Sequence, residues 1–234
     1  TPIYGGSDIR KQMRELKMGS QIVVGTPGRV LDLLNKRKLE LKNIDVLVLD
    51  EADEMLNMGF KEDIDLILEG TNDSKQILLF SATMPKEVLK ISKNYMNKPK
   101  KIQVDSNNEG AKDIEHNYYL VSNIKDKYQA LRRICDINPH IYGIVFCRTR
   151  RESKDISAKL LQDGYNADSL NGDLSQPQRD QVMGRFRKKQ IQLLIATDVA
   201  ARGLDVNDLS HVINYNLPDD NQTYIHRSGR TGRA

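Results

Sequence analysis

A chain of 234 residues holds one large domain or two of about 100–150 residues each. Hydrophobic content of 38% and charged content of 29% describe a globular chain with enough apolar residues for real cores. The net charge of +4 and pI of about 8.9 permit a polyanionic partner without requiring one. No apolar run approaches the roughly 18 residues of a membrane span, and no signal peptide is visible. The two cysteines, Cys135 and Cys147, stand in no metal-ligand spacing and suggest no disulfide framework, which fits a reducing cytosol. Both ends, Thr1-Pro2-Ile3 without an initiator Met and Gly232-Arg233-Ala234, read as cut from something longer.

Tyr4-Gly5-Gly6 is by default a bare turn, although a Gly pair also admits close backbone approach. Asp8 to Met18 predicts a charged amphipathic helix, Gln21 to Gly25 a short strand, and the residues to about Asn35 a second helix. Thr26-Pro27-Gly28-Arg29 sits at that helix start, with Thr at the N-cap and Pro at the first helical position. The same grammar makes a phosphate site of the free N–H groups, to which Arg29 adds a charge-assisted donor.

Val46-Leu47-Val48-Leu49 reads as a strand buried on both faces, running straight into Asp50-Glu51-Ala52-Asp53. Open α/β sheets bind ligands past such strand ends. One acid can hold a hard cation while its neighbour orients or deprotonates water, the chemistry of nucleotide hydrolysis. Alternatively the acids only cap the following helix, and in isolation the two readings weigh equally. A helix is expected over Glu62 to Leu68 and a buried strand over Gln76 to Phe80. That strand ends in Ser81-Ala82-Thr83, whose hydroxyls share the edge of Asp50 and Glu51 or simply cap the next helix. Lys100 to Val104 predicts the last strand of this half.

Residues 105–112 are polar and aperiodic and mark the expected linker between a domain of residues 1–104 and one of 113–234. Beyond it the pattern restarts, with strands at Glu115–Val121, Tyr142–Cys147, Ala167–Leu170, Leu193–Thr197 and His211–Tyr215. Helices are expected at Lys125–Ile137, Arg151–Leu161 and Gln176–Phe186. This alternation means βαβ units and parallel sheets, two of similar kind. Basic residues cluster at Arg148, Arg150 and Arg151, at Arg185 to Lys189, and at Arg227, Arg230 and Arg233. For the middle cluster a solvated helix face is the favoured reading. The last, interleaved with glycine, predicts a rigid basic loop suited to phosphate.

In this order, Tyr4-Gly5-Gly6, Thr26-Pro27-Gly28-Arg29, Asp50-Glu51-Ala52-Asp53, Ser81-Ala82-Thr83 and Val145-Phe146-Cys147-Arg148-Thr149 resemble the motifs of the DEAD-box ATP-dependent RNA helicases. So do Gln176 with Arg179, Ala196-Thr197-Asp198 with Ala201-Arg202-Gly203-Leu204-Asp205, and the stretch from His226 to Arg233. The resemblance covers essentially the whole chain, and its overall wording reads as bacterial. It implies an α/β fold of two RecA-like domains with parallel sheets, the first truncated at its N-terminus and the second nearly complete. It further implies a cytoplasmic enzyme that couples ATP hydrolysis to RNA duplex opening or ribonucleoprotein remodelling. Asp50 would hold Mg²⁺ and Glu51 activate water; Arg230 and Arg233 would be arginine fingers and, with Asp205, contact ATP. Asp53, Ser81, Thr83 and His226 would couple the ATP site to domain closure. Gly6, Thr26, Gly28, Arg29, Thr149, Gln176, Arg179 and Thr197 would grip RNA along its backbone. No Gly is followed by Lys anywhere in the 234 residues, so the family's phosphate-cradling loop is missing. The expectation is therefore that the stretch alone turns over ATP poorly, and a non-catalytic RNA clamp is the alternative function.

Overall fold

The computed structural model describes residues 1–103, 114–201, 204, 206 and 208–232. The chain divides into two compact units, Thr1–Val104 and Asp105–Ala234. The expected linker, residues 105–112, lies outside the described residues, as do Arg202, Gly203, Asp205 and Arg233.

The first unit runs β1 (Pro2–Ile3), α1 (Ile9–Lys17), β2 (Val24–Gly25), α2 (Pro27–Asn35), β3 (Val46–Leu49), α3 (Ala52–Asn57), α4 (Lys61–Glu69), β4 (Gln76–Leu79) and α5 (Lys86–Tyr95). Strands β1 and β2 pair in parallel, as do β3 and β4, whose register sets Val46 beside Gln76 and Leu49 beside Leu79. Successive side chains of a strand point to opposite faces. Leu47, Leu49, Ile77 and Leu79 pack with Ile64, Leu68 and Ile91 of the helices. The opposite face is open: Val46 is 48% and Val48 53% exposed, and Leu78 and Phe80 are exposed as well. The expectation of strands buried on both faces is therefore corrected for β3 and for β4. An unbroken apolar run records what a strand can bury, whereas burial needs a layer on each side, and only one side is covered among the described residues.

The expected strand at residues 21–25 shrinks to its last two residues, and residues 100–103 form no strand. Among the described residues these stretches find no partner edge to complete the ladder, and Ile102 stays exposed.

The second unit runs α6 (Asp126–Ile137), β5 (Gly143–Phe146), α7 (Arg150–Gln162), β6 (Ala167–Leu170), α8 (Gln176–Arg187), β7 (Leu193–Ala196), α9 (Asp198–Ala201), β8 (His211–Asn214) and α10 (Asn221–Ser228). Its four strands form one parallel sheet in the order β6-β7-β5-β8. Here the buried-strand expectation holds, since every residue of β5 and β7 is buried. Ile144, Phe146, Leu194 and Ala196 face one core with Phe186 and Met183, while Val145, Cys147, Leu193 and Ile195 face the other with Leu131 and Leu160. Packing on both faces is what makes the apolar runs continuous. Both cysteines are free and buried, and burial pushes the Cys147 thiol up to about 12 and that of Cys135 to about 11. Strand β5 passes so close to β8 that a Cβ on Gly143 would stand 2.6 Å from the His211 carbonyl oxygen.

Two expectations fail in this unit. Residues 115–121 are irregular rather than a strand, with Leu120 91% exposed, because the strand-prone Tyr118, Tyr119 and Val121 cannot by themselves supply a sheet edge to pair with. The stretch expected as a basic loop is helical through Ser228. Asp220 caps α10 by accepting from the Thr223 N–H at 2.7 Å, and Arg227 supplies buried contacts that offset the modest helix propensity of its Asn, Thr, Tyr, His and Ser neighbours.

Candidate functional site

The parallel register brings the polar residues of each unit to one sheet edge. In the first unit, Asp50 follows β3 where Phe80 follows β4, and the Ala52 N–H donates to the Phe80 carbonyl at 3.1 Å. Asp50 is exposed, and its carboxylate accepts from the Glu51 N–H at 2.9 Å. Glu51 has φ 50° and ψ 46°, a left-handed conformation sparsely populated by residues other than Gly, and it forms the N-cap of α3. Such strain costs of order 1–3 kcal/mol and persists where surrounding structure over-determines it. Together Asp50 and Glu51 present adjacent exposed carboxylates at a strand end.

Asp53 is buried, 1% exposed. It joins Ser81 and Thr83 in a closed network. The Thr83 hydroxyl and N–H both donate to Asp53 Oδ2, at 2.7 and 2.9 Å. The Glu54 N–H donates to Oδ1 at 3.1 Å, the Asp53 N–H donates to the Ser81 hydroxyl at 3.2 Å, and that hydroxyl donates to the Thr83 carbonyl at 2.6 Å. Burial alone would raise the Asp53 pKa. The hydrogen bonds from Thr83, Ser81 and Glu54 outweigh it and hold the carboxyl below its ordinary value. The hydroxyls thus reach the acid past β3 from the end of β4, on the shared edge expected from sequence.

A depressed carboxylate contributes stability that is complete above its unfolded pKa of about 3.9 and is lost as pH falls through the lower folded value. Asp53→Asn keeps the shape but turns an amide NH₂ toward N–H donors. It is expected to cost the first unit about 2–3 kcal/mol at neutral pH. Urea unfolding at neutral pH and again below pH 4 checks this, since the gap from wild type should narrow in acid. A constant gap would assign the loss to packing alone.

The Thr26-Pro27-Gly28-Arg29 segment does start α2, with Thr26 at the N-cap and Pro27 in the first turn; the Thr26 side chain makes no capping hydrogen bond. Arg29 is mostly buried. Its Nη1 donates to Gln12 Oε1 at 2.8 Å and to the Ser7 carbonyl at 3.3 Å, and its Nε lies 3.8 Å from Asp32 Oδ2. Gln12, buried on α1, donates in turn to the Tyr4 carbonyl at 3.1 Å. Thus Gly6, which has φ 77°, and the Thr26–Arg29 turn are braced together. Gln12 was not singled out from sequence. Its signal is a lone polar side chain on the inward face of α1.

In the second unit, register aligns Phe146 with Ala196 and Asn214, and Leu170 with Ala196. Thr149, Asn171, Thr197 and Asn216 consequently gather along one edge. Thr149 caps α7, its hydroxyl accepting from the Glu152 N–H at 3.1 Å. Thr197 is buried. Gln176 donates to Asp180 at 2.9 Å, and Arg179 donates to the Ala200 carbonyl at 3.2 Å. Arg230 donates to the Leu204 carbonyl at 2.9 Å, and His226 lies half-buried on α10. Asp205 and Arg233 lie outside the described residues.

The strongest polar constellation went unread in sequence. Arg227 is 4% exposed. Its Nε and Nη2 grip Asp198 Oδ1 and Oδ2 at 2.6 and 2.7 Å, and its Nη1 donates to Asn214 Oδ1 at 2.8 Å and to the Asn216 carbonyl at 2.7 Å. The guanidinium carbon lies 4.9 Å from the Phe146 ring centroid. Asn216 in turn accepts from the Arg148 N–H at 3.1 Å. Both Asp198 and Arg227 stood inside recognised motifs, but their pairing spans 29 positions.

Parallel α/β units with carboxylates, hydroxyls and arginines gathered at their strand ends have the arrangement in which open α/β sheets bind ligands. Residues 1–91 match the DEAD/DEAH box helicase family, and residues 126–234 match the helicase conserved C-terminal domain. The chain belongs to the DEAD-box helicase family. It is 47% identical over 233 residues to the DEAD-box ATP-dependent RNA helicase CshA of Bacillus cereus, covering 100% of this chain and 44% of that protein. Among solved structures it is similar to S. cerevisiae Dbp5 bound to RNA and ADP BeF3, at 32% identity and TM-score 0.86, covering 100% of this chain and 60% of the other. It is also similar to a hypothetical ATP-dependent RNA helicase from Sulfolobus tokodaii, at 40% identity and TM-score 0.51, covering 100% and 67%. The chain spans about half the length of the curated relatives it matches. Among the described residues no helix is long and apolar enough to cross a membrane.

Proposed function

We propose that this chain works in an ATP-dependent RNA helicase that couples ATP hydrolysis to local opening of RNA duplexes or to remodelling of ribonucleoproteins, in the cytoplasm. The observation that carries the reading is the network tying Asp53 to Ser81 and Thr83 directly behind Asp50 and Glu51. It gives a strand end that handles phosphate a mechanical link to the neighbouring strand. Relatives named as ATP-dependent RNA helicases, and one solved with RNA, support it.

Glu51 orients and deprotonates the attacking water, its side chain making no capping hydrogen bond to α3. Among the described residues no group of three His, Cys, Asp or Glu side chains could hold a metal ion alone. A single exposed carboxylate suits Mg²⁺, which keeps several waters and is held by one or two carboxylates plus substrate phosphates. Asp50 would hold that ion, which neutralises charge on the phosphate oxygens. Arg230 and Arg233 act on the γ-phosphate, where guanidinium charge stabilises the transferring group, and Asp205 contacts the ribose. Asp53, Ser81, Thr83 and His226 pass the state of the ATP site on to closure of residues 1–104 against 113–234. Gly6, Thr26, Gly28, Arg29, Thr149, Gln176, Arg179 and Thr197 hold the RNA backbone, so binding tolerates sequence and weakens with salt.

The test is RNA-stimulated phosphate release, measured on this chain and on the longest form of the protein that contains it. The longest form is expected to turn over ATP only with RNA. The 234 residues alone, having no Gly-Lys pair, are expected to bind RNA with little turnover. A longest form that binds RNA and never releases phosphate would make the acids remnants and the protein an RNA clamp.

A further inference from the structure

Away from those strand ends, the first unit carries a groove of about 850 Å³ lined by Arg10, Met13, Arg14, Lys17, Arg37 and Lys38. Five of these six are cations. Asp8 also lines the groove, but its carboxylate is engaged as the N-cap of α1, accepting from the Arg10 N–H at 2.9 Å. Neighbouring cations find acids: Lys11 pairs with Glu15, and Lys36 with Asp32. Among the described residues none of the five groove cations is in an ion pair.

Arg10, Arg14 and Lys17 stand at i, i+4 and i+7, so they share one face of α1 over about 10 Å of its axis. Arg14 and Lys17 suit a helix C-terminus. Arg10 does not suit its place in a first turn that holds no acid, where the helix dipole is positive. Arg37 adopts φ 53°, a left-handed conformation that disfavours any residue with a Cβ. Two of the five cations are therefore held where the local fold disfavours them, and both face the groove.

We propose that this groove binds the phosphate backbone of RNA, extending the path that begins at Gly6, Thr26, Gly28 and Arg29; the inference rests on the RNA-binding reading above. Gln12 joins the Tyr4 carbonyl to Arg29, and Arg29 reaches the Ser7 carbonyl, so the glycine loop, α1 and the start of α2 are one braced block. Along α1 from its loop end, Arg10 comes first, then Arg14 and Lys17. Guanidinium forks match phosphate oxygens in pairs. The groove offers Met13 as its apolar contact, which suits a ribose backbone better than a peptide needing several side-chain pockets.

The test uses this chain, with short and long single-stranded RNAs titrated across a series of salt concentrations. Wild type is expected to bind the long RNA more tightly than the short. In Arg14→Ala/Lys17→Ala/Arg37→Ala that advantage disappears, short-RNA affinity is unchanged, and the log–log salt slope for long RNA falls by about 2, at roughly 0.7 per cation. Arg37→Gly relaxes the positive φ, so it should melt no lower than wild type and still lose about 0.7 of the slope. A triple variant that keeps both the length advantage and the slope overturns the inference. So does tighter binding of an oligoglutamate peptide than of long RNA through the same three side chains. If RNA of neither length binds wild type, the RNA-binding reading itself has failed, whereas intact short-RNA binding with no length advantage refutes the groove alone.

Discussion

Arg227→Ala is expected to destabilise the second unit by about 3–5 kcal/mol, the range for removing one partner of a buried, hydrogen-bonded charge pair. The guanidinium makes four hydrogen bonds, two of them a bidentate grip on Asp198, and lies over Phe146. Removing it leaves Asn214 and the Asn216 carbonyl without their donor and leaves a carboxylate with no countercharge. The Asp198 side chain retains 35% of its exposure, so water recovers part of the loss and the lower half of the range is expected. Arg227→Lys keeps the charge but loses the fork, and should recover only a fraction. Urea unfolding followed by circular dichroism measures both. A loss below about 1 kcal/mol, the value of a surface pair, would mean the fork does not hold α10 in place. The consequence reaches function through geometry, because α10 carries His226 and leads directly into Arg230.

Glu51→Gln, made in the longest form of the protein, is expected to lower RNA-stimulated ATP turnover by about 10²–10⁴-fold while leaving ATP affinity nearly intact. The substitution keeps the size and backbone of the side chain and removes the carboxylate proposed to take the proton. It should lower kcat and kcat/KM together, the mark of an interaction made in the transition state. Unchanged turnover would remove Glu51 from the chemistry and leave its left-handed backbone as a feature of the turn into α3. A loss in KM alone would instead make it a binding contact.

Much of this was legible in the residues. The family, the positions of the acids past β3 and of the hydroxyls past β4, and the start of α2 all follow from local patterns. So do the strands of the second unit, because an apolar run, a Pro at a helix start or a capping Thr acts over a few positions through backbone dihedrals and side-chain alternation. What tertiary structure decided is of another kind. Val46 and Val48 have the sequence of a core strand, yet exposure depends on what lies across the sheet. Residues 118–121 have the aromatic and β-branched composition of a strand, but hydrogen bonding needs a partner edge. The helix carrying Arg227 forms where Gly and Arg suggested a loop, because a buried guanidinium finds Asp198, Asn214 and the Asn216 carbonyl together. The αL turn at Glu51 and the depressed carboxyl of Asp53 likewise arise only when β3 and β4 lie side by side. Periodicity and caps are set by neighbours in the chain, so the sequence determined most of the elements and the chemistry at their ends. Burial, charge pairing and strain are set by neighbours in space, often tens of residues distant, and those only the packed structure could decide.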